Sequence, residues 1–213
     1  MMTEVKRTYD ATNRQQRARE RRRAVVAAAQ ELFEREGFRA TTIAAVARAA
    51  GVSAESIYKG FGTKAALAKA VFDFVVAGDD EPVPMAERPE VQAVRAEPDP
   101  RRKLALYAEG LARRQHRSAK VQLLIRDGRH VDDTLEGVWQ KLLAERLHGM
   151  TLLAADLHAT GRLRPGLDAD EVRDLLWTYI SVELYELLVL NRGWPLRRYT
   201  TWLTNALAAA LCP

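Results

Sequence analysis

Apolar residues recur at steps of three and four along most of the chain, a spacing that places them on one face of an α-helix. In the first such segment the apolar stripe contains Val26, Ala29, Leu32 and Phe33. No segment shows the alternating apolar and polar pattern of a half-buried strand. The pattern therefore predicts an all-α fold. The predicted helices cover about residues 17–36, 42–50, 53–60, 63–77, 100–117, 118–126, 133–159, 168–191 and 195–211.

Five prolines interrupt the helical pattern between residues 78 and 100. Proline has no backbone N–H donor and disrupts the interior of a helix, so this stretch predicts a connection between two regions. On this basis the chain divides into a flexible basic arm over residues 1–16, an N-terminal domain over 17–77, the proline-rich connection over 78–100 and a C-terminal helical domain over 101–213. The fourth helix is expected to join a three-helix N-terminal group to the rest of the chain.

The segment over residues 42–60 has the sequence signature of a helix-turn-helix unit. Thr42 and Ser53 have side chains of the kind that cap helix N-termini, and Gly51 suits the left-handed position that ends the helix between them. The second helix of such a unit enters the DNA major groove with its N-terminal end toward the bases. Residues 42–60 therefore predict sequence-specific binding to double-stranded DNA.

The second helix of this unit has one apolar face and one polar face. Val52, Ile57 and Phe61 form the apolar face, which is expected to pack inward. The polar face offers groups that bind base edges, because hydroxyl and ammonium groups donate hydrogen bonds and a carboxylate accepts one from cytosine. The expected base-contacting residues are Ser53, Glu55, Ser56 and Lys59, with Tyr58 and Lys64 on the flanks, where phosphate contacts are expected.

Positive charge is concentrated at the N-terminal end of the chain. Residues 1–64 contain 13 Lys and Arg residues against 7 Asp and Glu residues, whereas the remainder contains 20 against 21. Such an asymmetry favours an anionic partner at that end. The run from Arg14 to Arg23, which includes Arg17 and Arg21, is expected to reach backbone phosphates or the adjacent minor groove. A solvated basic helix start is the alternative interpretation.

Several pieces of sequence follow one another between Arg19 and Val76: ELFEREGFRATT, IAAVARAAGVS, a helix that contains a tyrosine, and FGTKAAL. Their order and spacing resemble the tetracycline-repressor (TetR) family of bacterial transcription regulators. The resemblance implies DNA contacts from the residues that match the family motif, namely Thr42, Ser53, Glu55, Tyr58, Lys59 and Lys64. The chain departs from the family at Gly60, where members often carry an aromatic or polar side chain.

The resemblance also implies that the C-terminal helices form a homodimer. Dimers bind operators whose two half-sites are related by two-fold symmetry, so a palindromic operator is expected. The last two predicted helices carry more apolar surface than the core of one protomer is expected to absorb, and such a surplus marks an interface. The expected interface residues are Leu187, Leu188, Tyr199, Leu203, Ala206, Leu207 and Ala210.

The resemblance further implies that the C-terminal domain binds a small-molecule effector, and that this binding releases a repressor from its operator. The residues expected to line the pocket are Trp139, His148, Met150, Trp177, Ile180, Glu183 and Leu184. A buried acid among aromatic side chains, such as Glu183, suits an amine or a hydroxyl group. The alternative is that the aromatic residues are core packing and that Glu183 pairs with an arginine.

A non-specific architectural DNA-binding protein and a helical enzyme are the alternative functions. An architectural protein needs a more evenly basic surface than the near-neutral residues 65–213 provide. The four histidines lack the i, i+4 spacing of a helical zinc site, and the sequence contains no nucleophile elbow, P-loop or dinucleotide-binding turn. No catalytic residue, metal site or cofactor is therefore expected.

The cell compartment is predicted from three features of the sequence. The single cysteine, Cys212, excludes an intrachain disulfide and favours a reducing compartment. The first residues are polar and do not form the apolar stretch of a signal peptide. No apolar run approaches the roughly 18 residues that a membrane span needs. A cytoplasmic location without a membrane partner is therefore expected.

Overall fold

The computed structural model describes residues 3–79, 81 and 83–213, and for residues 3–14 it describes the backbone only. The described residues form helices joined by short connections and contain no strand, which confirms the all-α prediction. The α-helices are α1 Thr3–Ala40, α2 Ile43–Ala50, α3 Ala54–Phe61, α4 Lys64–Ala77, α5 Pro89–Ala96, α6 Pro100–Gly128, α7 Thr134–His158, α8 Ala169–Tyr179, α9 Val182–Tyr185 and α10 Leu196–Leu211. A 3₁₀ turn, Met85–Glu87, precedes α5, and a π-helical segment, Glu186–Asn191, follows α9.

Helix α1 begins at Thr3, whereas the sequence predicted a flexible arm over residues 1–16. The backbone is helical from residue 3 onward, and neither glycine nor proline interrupts the chain before Gly37. Residues 1 and 2 of the predicted arm lie outside the described residues. Gly37 has φ 80° and ψ 169°, so the helical path is broken at the glycine that the sequence predicted as a stop.

The chain forms two compact units. The N-terminal unit contains the described residues up to 79 together with Leu124–Val138. The C-terminal unit contains the described residues from 81 to Leu123 together with Trp139–Pro213. One of the chain crossings between the units lies in the proline-rich connection, and two further crossings lie within α6 and α7.

Residues 124–138 were assigned by the sequence to the C-terminal domain, but they pack in the N-terminal unit. Gly128 lies at the end of α6, where a Cβ atom would lie 2.5 Å from Leu135 Cδ1 and 3.9 Å from Phe38 Cβ. Real Cβ atoms do not approach a neighbour as closely as 2.5 Å, so the missing side chain of Gly128 permits this packing. Helical periodicity gave no sign of it, because the partner, Phe38, is far away in the sequence.

The core of the N-terminal unit is formed by its first four helices. Helix α1 contacts α2 and α4, and α3 also contacts these two helices. The buried apolar side chains include Val25, Val26, Ala29, Leu32, Phe33, Ile43, Val46, Ala47, Ile57, Leu67, Ala68 and Val71. Complete burial of a large apolar side chain contributes roughly 1.5–3 kcal/mol. These residues therefore hold the short helix α3 in a fixed position on the longer helices.

Helix α6 is continuous, although the sequence predicted two helices that meet near Ser118. The Ser118 hydroxyl donates a hydrogen bond to the Arg114 carbonyl oxygen at 2.8 Å. Serine and threonine side chains often bond to the carbonyl four residues earlier, and the helix then continues past them. The predicted break is therefore wrong, since a serine that can cap a helix is also compatible with a helix interior.

Helix α8 ends near Tyr179, although the sequence predicted one helix over residues 168–191. The side chain of Gln115 on α6 provides the reason. Its Nε2 donates to the carbonyl oxygen of Ile180 at 3.0 Å and to that of Ser181 at 3.4 Å. These two carbonyls are thereby satisfied by a side chain, so the helix does not have to continue through them.

The core of the C-terminal unit is centred on α6, α8 and α10. Tyr199 is completely buried and its hydroxyl donates to Gln115 Oε1 at 2.8 Å. Its ring meets that of Tyr185 edge to face, with 5.1 Å between the ring centroids. The surrounding buried side chains include Leu104, Ala108, Val172, Leu176, Leu203, Leu207 and Leu211. A polar network within an apolar core fixes the arrangement of its helices when every member has a partner.

Three further properties of the described part of the chain bear on its possible functions. None of its helices combines the length and apolar character needed to cross a membrane. Its histidine, cysteine, aspartate and glutamate residues form no group of three or more that could hold a metal ion. Cys212 is buried and does not form a disulfide, and burial raises the pKa of its thiol.

Candidate functional sites

The helix-turn-helix unit is closed by the caps that the sequence predicted. The Thr42 side chain accepts a hydrogen bond from the Ala45 N–H at 3.1 Å. Gly51 has φ 67° and ψ 33°, the left-handed conformation that ends a helix. The Ser53 side chain accepts from the Ser56 N–H at 3.1 Å and opens α3. Local sequence therefore determines where α2 ends and α3 begins.

Helix α3 presents most of its side chains to solvent. Ile57 is 1% exposed and anchors the helix, while Val52 and Phe61 are half-buried beside it. Tyr58 is 55% exposed, so its ring and hydroxyl group are accessible to a binding partner. The other predicted contact residues of this region, Thr42, Ser53, Glu55, Ser56 and Lys59, are all exposed.

Gly60 lies on the exposed part of α3 in open space, since a Cβ atom there would meet nothing within 4 Å. Its φ lies outside the left-handed range, in contrast to Gly62, which has φ 81°. The fold therefore does not require glycine at position 60. Because glycine has no side chain, the exposed face of α3 offers only backbone at this position.

Lys64 binds backbone carbonyls of its own chain, whereas the sequence predicted that it contacts a DNA phosphate. Its ammonium group donates to the carbonyl oxygens of Phe38 at 2.9 Å and Thr41 at 3.1 Å, and the side chain is half-buried. The nitrogen also lies 4.2 Å from the centroid of the Phe38 ring. The ammonium thus joins the start of α4 to the end of α1, a role that sequence reasoning missed because its partners are backbone carbonyls.

The basic residues of α1 lie on an exposed part of the helix. Arg17 and Arg21, which the sequence predicted as DNA contacts, are exposed and are four residues apart, so they share one helix face. Arg22, one residue further, lies over the ring of Phe61, with its Cζ atom 4.5 Å from the ring centroid. This contact connects the basic segment of α1 to the end of α3.

The residues predicted to line a ligand pocket divide into three groups. Trp139, Met150 and Ile180 are buried, and Trp177, Glu183 and Leu184 are half-buried. His148 is exposed, so its assignment to the pocket is wrong. It is two residues from Met150, and two residues correspond to about 200° around a helix. A histidine so close to Met150 in the sequence therefore faces in nearly the opposite direction.

The predicted dimer interface is wrong for three of its residues. Tyr199, Leu203 and Leu207 are each 0% exposed within one protomer, so none of them is available to a second copy. The reason is that a regular apolar stripe shows which face is buried but not whether the same chain buries it. The remaining residues are half-buried or exposed: Leu187, Leu188, Ala206 and Ala210.

A cluster of side chains in the C-terminal unit includes Arg146 and Tyr107, two residues that the sequence did not indicate as part of a site. The Arg146 Cζ atom lies 4.3 Å from the centroid of the Trp177 ring. Burial lowers the pKa of Arg146, and the charge of Glu183 acts in the opposite direction. Arg146 interrupts the apolar stripe of α7, which is a sequence signal that would have revealed it.

Tyr107 lies in the same cluster. Its hydroxyl donates to the Met150 sulfur atom at 3.5 Å, and burial raises its pKa, with Arg114 acting in the opposite direction. Arg114 is in turn paired with Glu90 at 2.7 Å. Aromatic, sulfur and guanidinium groups are thus brought together inside the C-terminal unit, close to three of the predicted pocket residues.

A polar cleft of about 410 Å³ lies elsewhere in the C-terminal unit. Its wall includes Lys103, which is only 2% exposed and whose ammonium group forms an ion pair with Asp156. The same ammonium donates to the Arg95 carbonyl oxygen at 3.1 Å. The charge of Lys103 is therefore neutralised within the protein, which makes this cleft a structural ion-pair site.

Residues 25–71 match the model of the family described as bacterial regulatory proteins, tetR family. Comparison with curated protein sequences found no match. Several solved structures share the fold. FadR from Bacillus subtilis in complex with stearoyl-CoA has a TM-score of 0.68 and 19% identity, over 86% of this chain and 96% of that chain.

Two other solved structures show the same likeness. NalD, the secondary repressor of the MexAB-OprM multidrug efflux pump in Pseudomonas aeruginosa, has a TM-score of 0.66 and 21% identity, over 92% of this chain and 98% of that chain. A Saccharomonospora viridis structure in complex with choline has a TM-score of 0.65 and 18% identity, over 90% and 97% of the two chains. The matched residues 25–71 contain the whole helix-turn-helix unit, so this part of the chain is a DNA-binding domain of the type found in the tetR family of bacterial regulatory proteins.

Proposed function

We propose that the protein is a cytoplasmic transcriptional repressor that binds a palindromic operator as a homodimer and releases it when a small molecule binds the C-terminal unit. The observation that carries this proposal is the surface of α3. One residue, Ile57, anchors the helix, while its polar side chains remain exposed. A short helix that is held from one side and exposed on the other fits the major groove of DNA.

The N-terminal end of α3 carries the groups best suited to bases. The hydroxyl oxygens of Ser53 and Ser56 are 2.8 Å apart, so the two side chains hold each other in place. Glu55 is exposed beside them and suits the amino group of cytosine, while Lys59 suits the acceptors of guanine. We infer that these four residues contact base edges.

Phosphate contacts are assigned to residues around α3. Tyr58 and Thr42 are exposed on either side of the turn, and Arg17 and Arg21 are exposed on α1. Contacts to phosphates fix the position of a protein on DNA without reading the sequence. Lys64 is left out of this group, because two of its three N–H donors already bind backbone carbonyls.

The homodimer is proposed on the residues that remain at the surface of one protomer. Leu187 is 55% exposed and Leu190 is 44% exposed, and both belong to the π-helical segment. Ala206 and Ala210 are half-buried on α10. Exposed leucines on the π-helical segment suit contact with a second copy, and small residues on α10 allow the close approach of another helix.

Release by a ligand follows from the geometry of a dimer. The two half-sites of an operator are about 34 Å apart, so the two α3 helices must keep that spacing. A ligand that binds the DNA-free conformation more tightly by a few kcal/mol shifts most of the protein away from the operator. The complexes of FadR with stearoyl-CoA and of the Saccharomonospora viridis protein with choline support a ligand site in this fold.

The proposal is tested by selecting bound sequences from a pool of random DNA duplexes and footprinting the protein on the result. We expect one short palindrome. On that duplex, Lys59→Ala should weaken binding by about 1–3 kcal/mol, whereas Lys141→Ala, which removes an exposed lysine in the C-terminal unit, should leave affinity unchanged. Equal binding to all duplexes would indicate an architectural protein instead and would refute the proposal.

A further inference from the structure

The guanidinium group of Arg146 is unusual because it lies within the apolar stripe of α7. Arg146 is four residues from both Leu142 and Met150, so the three side chains share one face of the helix. Leu142 and Met150 are buried. The Nε and Nη1 atoms of Arg146 are shielded from solvent, and no hydrogen-bond acceptor among the described residues reaches them. A buried charged donor without an acceptor is destabilising, so its retention calls for a reason.

The side chain stacked on this guanidinium has the same property. The ring centroid of Trp177 lies 4.3 Å from Arg146 Cζ, and Trp177 Nε1 is also shielded and without an acceptor among the described residues. An indole nitrogen only donates hydrogen bonds, and a guanidinium group only donates as well. Two stacked side chains therefore present three buried donor nitrogens whose acceptor is not supplied by the described chain.

Only a limited class of hydrogen-bond acceptors fits these donors. Such an acceptor must carry oxygen atoms, and a negative charge on them makes each hydrogen bond stronger and offsets the charge of Arg146. Two neighbouring side chains are apolar: Met150 follows Arg146 by one turn on α7, and Ile180 follows Trp177 by three residues at the end of α8. Both are 5% exposed.

We propose that Arg146 and Trp177 bind the carboxylate of the effector, and that the rest of the effector is apolar. This inference rests on the proposed function, because it names the ligand class of the C-terminal unit. It replaces the amine that Glu183 suggested in the sequence, since Glu183 acts electrostatically on Arg146 and its charge is opposed by that guanidinium.

The first experiment measures the melting temperature of the full chain with decanoate or decyltrimethylammonium, each below its micelle concentration, or with decanol below its solubility limit. We expect decanoate at roughly 100 times its Kd to raise the melting temperature by about 5–10 °C, and the two other compounds to have little effect. An equal shift with decanol, or a larger one with the cation, would overturn the proposal.

Variants assign the effect to the two side chains. In Arg146→Met the decanoate shift should disappear, while the melting temperature without ligand stays equal or rises, because an apolar side chain replaces a guanidinium group whose shielded Nε and Nη1 atoms have no acceptor. Trp177→Phe should weaken decanoate binding about tenfold or more. Arg197→Met, which changes an exposed arginine of α10, should keep the full shift.

Two results would contradict the assignment. An unliganded Arg146→Met protein that melts several degrees lower would show that the guanidinium stabilises the fold through Glu183. An undiminished decanoate shift in Trp177→Phe would remove the indole from the site.

The effect of decanoate on DNA binding separates this inference from the proposed function. With the selected palindrome in hand, decanoate should lower the affinity of the wild-type protein for it. If the protein binds the palindrome but decanoate neither binds nor releases it, the carboxylate assignment fails and the repressor proposal stands. If no palindrome is selected, the repressor proposal fails, while a decanoate shift lost in Arg146→Met would still support the site.

Discussion

The ammonium nitrogen of Lys64 lies 2.9 Å from the carbonyl oxygen of Phe38 and 4.2 Å from the centroid of the Phe38 ring. One residue thus satisfies a carbonyl beyond the Gly37 break and covers the aromatic face next to it. The same nitrogen also binds the Thr41 carbonyl at 3.1 Å, one residue before the Thr42 cap. Lys64 therefore connects the end of α1 to the start of the helix-turn-helix unit.

This contact predicts that Lys64→Met destabilises the protein by about 1–3 kcal/mol, because the carbonyls of Phe38 and Thr41 lose a charged donor. Urea denaturation measures the change. Lys59→Met removes an exposed lysine and should alter stability by no more than about 0.5 kcal/mol. A lowered salt dependence of DNA binding in Lys64→Met, at unchanged stability, would favour a phosphate contact instead.

Replacing the glycines around the end of α3 should give changes of opposite sign. Gly60→Ala should stabilise the protein by about 0.5–1 kcal/mol, since the added Cβ meets open space and alanine favours the helix. Gly62→Ala should destabilise it by about 1–2 kcal/mol, because φ there is 81°. Thermal unfolding monitored by circular dichroism measures both.

DNA binding by Gly60→Ala adds a second measurement. An unchanged affinity would show that the DNA does not approach α3 closely at this point. A loss of affinity in a more stable protein would show that it does.

Leu203 and Leu187 distinguish burial within a protomer from burial between protomers. Leu203 is 0% exposed, so Leu203→Glu should place a charge in the core and destabilise the chain by more than about 4 kcal/mol. Leu187 is 55% exposed, and Leu187→Glu should instead yield folded monomers in sedimentation velocity. A stable dimer of Leu187→Glu would move the interface away from the π-helical segment.

Gln115 predicts a strong effect of a single polar side chain in the C-terminal core. Gln115→Leu should cost about 2–4 kcal/mol, because it leaves the Tyr199 hydroxyl and the Ile180 carbonyl without their partners. Gln122→Leu, at a half-buried site on the same helix, should cost less than about 1 kcal/mol. Chemical denaturation compares the two, and similar stabilities would show that water replaces the bonds of Gln115.

The sequence predicted well those features that depend on neighbours along the chain. The caps at Thr42 and Ser53, the left-handed Gly51 and the anchor Ile57 all depend on residues a few positions apart, and the structure contains each of them. For the same reason the exposed face of α3 could be predicted residue by residue. The DNA contacts of that face stay a prediction, which the Lys59 variant tests.

Contacts between distant residues could not be predicted in this way. Ile180 was expected to lie inside a long helix, because the sequence does not show that Gln115 satisfies the carbonyls at the end of α8. Tyr199 and Leu203 were assigned to a dimer because periodicity does not show what covers an apolar face.

The sequence by itself determined that the chain is helical, where the helix-turn-helix unit lies and which family its motifs resemble, since capping, periodicity and motif order are local properties. Only the tertiary structure decided that Lys64 binds the carbonyl of Phe38, that α10 is buried in its own protomer, and that Arg146 stacks on Trp177 with unpaired donors. These features join residues far apart in the chain, so packing, burial and unmet hydrogen bonds exist only once the helices have assembled.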